Sequence, residues 1–137
     1  MKSNKLNRHE SLKFIFGGNS TFTFKNNITE NRFTYRVRKH KTNDIYFVSV
    51  LTQPDTYTFI GSIFKEGNYR HSVKSKISSN AQSVKVFDYV LRKLHTDSLS
   101  ESIEVWHEGR CGRCNRKLTV PESIESGFGP ECIRRQK

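Results

Sequence analysis

All three cysteines of this 137-residue chain lie near its end, as Cys111-Gly-Arg-Cys114 followed by Gly127-Phe-Gly-Pro-Glu-Cys132. Cys-x-x-Cys lets one tight turn aim two thiolates at a single tetrahedral ion, so the spacing points to a structural Zn2+ site. Cys132 supplies a third ligand from just inside a short helix that Pro130 can start, because the N–H that proline lacks goes unused in a first turn. The fourth ligand has to come from elsewhere. His107, four residues before Cys111, is the leading candidate, since histidine with three cysteines is a common structural zinc set. Glu108, Glu131 and His95 are the alternatives: carboxylates are less usual in closed sites, and His95 lies further off. A redox reading of Cys-x-x-Cys lacks the strand-then-helix context such motifs occupy, and pairing two cysteines as a disulfide leaves one thiol over.

The charge divides the chain. Up to residue 95 there are 17 Lys and Arg against 6 Asp and Glu, and from residue 96 onward 7 against 7, so the whole net charge of +11 lies ahead of the cysteines. A concentrated positive excess attracts polyanions and steers their approach, which makes nucleic acid the first partner class to consider. An acidic or DNA-binding host protein is the other. No apolar run approaches the length of a membrane span and no apolar signal core opens the chain, so a membrane is not expected as a partner. Cysteines in metal spacing suit a reducing cytoplasm.

Taken in order, residues 1–11 carry Lys2, Lys5 and Arg8 with only Leu6 to bury and read as a basic, mobile arm. Residues 12–95 read as a β-rich α+β domain. Leu12, Phe14 and Phe16 alternate, Gly17-Gly18-Asn19 turns, and Phe22 and Phe24 resume one face, which predicts a β-hairpin. The next strand sets Phe33, Tyr35 and Val37 against Arg32, Thr34, Arg36 and Arg38. On the wet face of an antiparallel sheet, alternate arginines make a basic stripe at about 7 Å intervals, and guanidinium groups bind phosphates bidentately. Further strands are expected at 45–51, around 57–64, where Gly61 permits a bulge or a close approach, and around 69–73. Asn80 can cap a helix to about His95, whose Val84, Phe87, Leu91 and Leu94 form an apolar stripe for the sheet. Residues 96–102 read as a Ser-rich connector. In residues 103–137 a short strand brings up His107, Thr119-x-x-Glu122 has the pattern of a capping box, and Gly127 can end the helix that follows. The expected fold is α+β, an antiparallel sheet of five to six strands with one packed helix, followed by a small treble-clef-like zinc module.

The run from Trp106 to Cys132 resembles the C-terminal module of an uncharacterised family of phage and prophage proteins, with its pattern Cys-x-x-Cys-Gly-Arg-x-Leu, Ser-Ile and Gly-x-Gly-Pro-x-Cys. Phe33-Thr-Tyr-Arg-Val37 and Val48-Ser-Val-Leu-Thr52 look like the family more loosely. Position by position, the resemblance marks Cys111, Cys114, Cys132 and His107 as metal ligands and implies a phage origin, hence a host cytoplasm. Asn115 stands where the family has glycine, a substitution asparagine tolerates because it visits left-handed backbone. The family brings no activity with it.

An enzyme is not the expected reading: three cysteines with a histidine describe a closed site, whereas catalytic zinc keeps a position open, and neither a His-Asn-His pattern nor a phosphate-binding loop is present. The leading expectation is a nucleic-acid-binding protein using Arg32, Arg36, Arg38, Lys39, Arg70 and Lys74, with exposed Tyr or Phe as stacking residues. The rival is a phage inhibitor or adaptor, anti-defence or host-takeover in role, that docks on a host protein.

Overall fold

A computed structural model describes residues 4–119 and 121–135. The order of elements is β1 (Lys5–Leu6), α1 (Arg8–Ile15), β2 (Asn19–Asn26), β3 (Arg32–Lys39), β4 (Tyr46–Gln53), β5 (Thr56–Ile63), β6 (Tyr69–His71), α2 (Gln82–His95), β7 (Ile103–His107), α3 (Pro121–Ser126) and α4 (Pro130–Arg135). The strands form one antiparallel sheet in the order β1-β7-β2-β3-β4-β5-β6. This is the expected α+β class, an antiparallel sheet carrying a long helix and followed by the cysteine cluster. The C-terminal strand β7 is interior, between β1 and β2, because Ile103, Val105 and His107 continue the buried face of β2.

Period-two alternation places the core. Phe22, Phe24, Tyr35, Val37, Val48, Val50, Ile63 and Val105 all point to one face and are buried. Helix α2 lays Val84, Phe87, Val90, Leu91 and Leu94 onto that face. The Phe87 ring lies 4.9 Å from that of Tyr35, whose hydroxyl donates to the Ser83 carbonyl at 2.6 Å, so the one polar atom of a buried ring is satisfied. Burial of that phenol, with Tyr69 nearby, holds its pKa well above the ordinary tyrosine value. The helix begins at Ala81 without a side-chain cap, one residue past the expected Asn80. At Gly61 the expectation of a bulge and a close approach is met together: the β4–β5 register shifts beside it, and a Cβ there would lie 2.3 Å from the Arg70 carbonyl.

Two expectations at the start of the chain are corrected. The described part of the basic arm is ordered: Lys5–Leu6 pairs with β7, Lys5 reaches Glu104 at 3.1 Å, and Arg8 bonds the Leu94 carbonyl and Asp97, both at 3.0 Å. Lys2 lies outside the described residues. The hairpin expected from Leu12, Phe14 and Phe16 is instead helix α1. Asn7 caps it in a reciprocal box with Glu10, and Ser11, Phe14 and Ile15, at helical rather than alternating spacing, are its fully buried residues.

Candidate functional site

The cysteines are brought together by two backbone devices. Around the first pair, Arg110 and Lys117 form an isolated antiparallel bridge, the Cys111 N–H donates to the Arg116 carbonyl at 2.8 Å, and the Asn115 N–H donates to the Cys111 carbonyl at 2.9 Å. Asn115 takes the left-handed conformation, φ 64°, that a glycine would otherwise supply. Further on, α3 ends where the Gly127 N–H donates to the Ser123 carbonyl, and Pro130 opens α4 with Cys132 in its first turn. The three thiol sulfurs lie within 4.8 Å of one another, Cys111 and Cys132 buried and Cys114 exposed. Thiolates on one tetrahedral zinc, each about 2.3 Å from it, stand about 3.8 Å apart, so the donor set fits such an ion after a small contraction.

The protonation energetics agree. At Cys111, burial is overcome by backbone N–H groups of Cys114, Gly129 and Arg113 aimed at the sulfur, and its pKa falls below the usual thiol value. Cys132 is pushed up to about 11, by burial first and then by its two thiol neighbours. A crowded trio that resists full deprotonation by itself is what a divalent cation resolves. The cluster can hold a metal ion. It opens into a cavity of about 430 Å³ whose lining includes Arg113, Arg116, Lys117 and Glu131.

The structure does not bring a fourth ligand to the cysteines among the described residues, and the remaining residues contain no His, Cys, Asp or Glu. His107 stands apart from them. Its Nδ1 accepts the Gly109 N–H at 3.0 Å, which leaves the proton on Nε2 for the Ile124 carbonyl, so both ring nitrogens are occupied by backbone. Burial lowers its pKa, and neutral imidazole is the form those two bonds require. Each alternative is also placed. The Glu108 carboxylate accepts from Thr23 at 2.7 Å, the His95 ring lies 3.1 Å from the Gly67 carbonyl, and Glu131 lines the cavity with its carboxylate 3.8 Å from Arg134. The spacing that suggested His107 is real, but the residue uses it to pin α3 to β7.

The second feature is the face of the sheet opposite the core. Contacts of α1, α2 and α3 all reach the core face, through Phe14–His107, Phe87–Phe22 and His107–Ile124. The opposite face carries Arg32, Arg36 and Arg38 from β3, as alternation predicted. Among the described residues no carboxylate lies within ion-pair distance of these three. Arg36 lies over the Tyr57 ring at 4.0 Å, and its Nε has no hydrogen-bond partner among the described residues, so stacking rather than a carboxylate positions it. Arg70 shares this face through its pairing with Ser62 and sits over the Phe64 ring at 5.4 Å. Lys39 pairs with Tyr46 and belongs to the opposite parity, and Lys74 lies in the loop beyond β6.

Register adds aromatic residues that sequence reasoning had not placed. One row runs Trp106, Thr23, Thr34 across β7, β2 and β3 and continues through the Leu51–Tyr57 pair; the next runs Thr21, Arg36, Ser49, Phe59, and a third Arg38, Phe47, Ser62, Arg70. The Trp106 indole donates to Glu104 at 3.1 Å, and Lys5 binds the same carboxylate. Alternation within residues 103–108 already set Trp106 against the buried Val105 and His107. Which strand would lie beside it was not readable locally.

A seven-stranded α+β protein with a three-cysteine cluster at its C-terminal end is therefore the class that fold and site define. Residues 106–137, the segment that holds the cluster, match a family of unknown function (DUF6011). No curated protein and no solved structure matches the chain. Among the described residues no helix is long and apolar enough to cross a membrane.

Proposed function

We propose that this is a zinc-containing, phage-encoded protein that binds nucleic acid through the open face of its sheet. The observation that carries the reading is the set Arg32, Arg36 and Arg38, without carboxylate partners among the described residues, on the sheet face opposite α1, α2 and α3, in a chain of net charge +11. Arginines without carboxylate partners keep their bidentate donors for phosphate. Zinc is the proposed metal because three thiolates form a soft donor set that suits it. The metal's role in this reading is structural: it joins the knuckle to α4.

The test is the variant Arg32→Ser/Arg36→Ser/Arg38→Ser, assayed against short DNA and RNA over a range of salt. Binding weakens and the log–log salt slope falls by roughly one for each phosphate no longer held. The fold survives, since Phe33, Tyr35 and Val37 keep their places. Unchanged affinity and slope would move the binding surface elsewhere. A parent protein that binds no nucleic acid even at low salt would refute the proposal and put the inhibitor or adaptor of a host protein in its place.

A further inference from the structure

We infer, resting on that reading, that the open face selects unpaired strands and holds them by base stacking, with Trp106 at one end of the site and Tyr57 and Phe59 at the other. Trp106 and Tyr57 end a row that crosses β7, β2, β3, β4 and β5, a width of roughly 19 Å at about 4.8 Å per strand. Thr23 and Thr34 occupy the middle, their hydroxyls bonded to each other at 2.6 Å, and Thr23 also donates to the Glu108 carboxylate at 2.7 Å, so the stretch between the aromatic ends carries a negative charge that repels phosphates and leaves it to the bases. Phe47 is 40% exposed although its ring lies 6.3 Å from that of Phe59, so an apolar aromatic pair faces solvent beside Arg36 and Arg38. Phosphate-binding and stacking groups thus alternate across one surface.

Duplexes do not fit this arrangement. The B-form major groove is about 12 Å wide and admits a helix or a two-stranded ribbon, and the A-form major groove is narrower still. A sheet face roughly 19 Å wide is broader than either groove and would meet a duplex along its phosphates, leaving the aromatic rings unused. A single strand can splay its bases, and each base has a π-face for any of these rings. Because stacking ignores the hydrogen-bonding edges of bases, the expected preference is for strandedness over sequence.

Trp106 is the chain's one tryptophan, so its fluorescence reports this face directly. The experiment titrates the zinc-loaded protein with single-stranded thymidine and adenosine 12-mers, as DNA and as RNA, and with the corresponding duplexes, at one salt concentration. Single strands bind at least tenfold more tightly than duplexes and quench Trp106. Phe59→Ala weakens single-strand binding about 5- to 150-fold, the range expected when one stacked base loses its ring, and leaves duplex binding unchanged, whereas Tyr57→Ala, which also removes the ring under Arg36, weakens both. Phe47→Ala, at an exposed position, shows the same direction where folding is not in question. Equal affinity for both forms with Trp106 unquenched would overturn this inference and leave the electrostatic reading of Arg32, Arg36 and Arg38 standing. Absence of binding to either form would overturn both.

Discussion

Phe14 is the residue through which the cysteine cluster and the sheet stabilise each other, and Phe14→Ala measures that coupling. Its ring is fully buried, 5.8 Å from Phe128 and 5.6 Å from His107. It also fills the space where a Cβ on Gly112 or Gly127 would come within 2.8 or 2.6 Å of it, so both backbone turns of the cluster close directly on this ring. Asn19 adds a backbone tie from β2, its N–H donating to the Gly112 carbonyl at 2.9 Å. Truncating a buried phenylalanine costs about 3–5 kcal/mol, against a total of roughly 7–15 kcal/mol for a chain of this length. The variant therefore folds, but with roughly a fifth to seven tenths of its stability gone. Urea unfolding followed by Trp106 fluorescence reads the sheet, since Trp106 belongs to an interior strand, and competition with a chelator reads the metal. Both fall together. Coupling is reciprocal, so stripping metal from the parent lowers the same single transition, by about 4 kcal/mol where free metal had stood at 1,000 times its dissociation constant. A loss below about 1 kcal/mol in the Trp106 transition, or two separated transitions in the parent, would refute the shared core.

Three further predictions concern the cluster and its neighbour. Cys111→Ser or Cys132→Ser abolishes stoichiometric zinc, measured by elemental analysis of protein purified without chelator; parent protein free of zinc would remove the metal proposal. His107→Gln keeps one metal per chain, because neither ring nitrogen is directed at the cysteines, and loss of metal in that variant would return His107 to the ligand set. Burial sets the native pKa of His107 below its unfolded value of about 6.5, so below that pH the unfolded chain binds a proton that the native chain refuses. The contribution is present above pH 6.5 and is lost as pH falls through the native value, by up to about 1.4 kcal/mol per pH unit. Metal-loaded His107→Gln should show a shallower acid limb in urea unfolding than the parent, and identical limbs would show that His107 does not carry this dependence.

The readings that succeeded from sequence rest on chemistry that is local in the chain. Strand β3 was legible because one buried face imposes alternation on it, β4 and β5 because apolar runs of strand length are bounded by turn signals, and the cysteines because Cys-x-x-Cys encodes its geometry within a single turn. Helix α1 was misread for a related reason. Leu12, Phe14 and Phe16 alternate, but the decisive local signal was Asn7-x-x-Glu10, a capping box that begins a helix before the apolar residues are reached. His107 fails differently. Its distance from Cys111 is compatible with ligation, and nothing between residues 103 and 111 reveals that Ile124, 17 positions away, will present a carbonyl to the same ring. The aromatic row fails the same way, since Trp106 meets Thr23 only when β7 enters the sheet beside β2, across a separation of 83 positions. The candidate site thus draws on two kinds of position. The cysteines that can hold a metal follow a spacing rule, while the open face exists only after long-range pairing has chosen which strands lie side by side. Substitutions within Cys111–Cys132 should therefore act on metal and stability together, whereas substitutions at Tyr57, Phe59 or Trp106 can change what the face binds while the core behind it stays intact, because their side chains point away from Phe22, Tyr35 and Phe87.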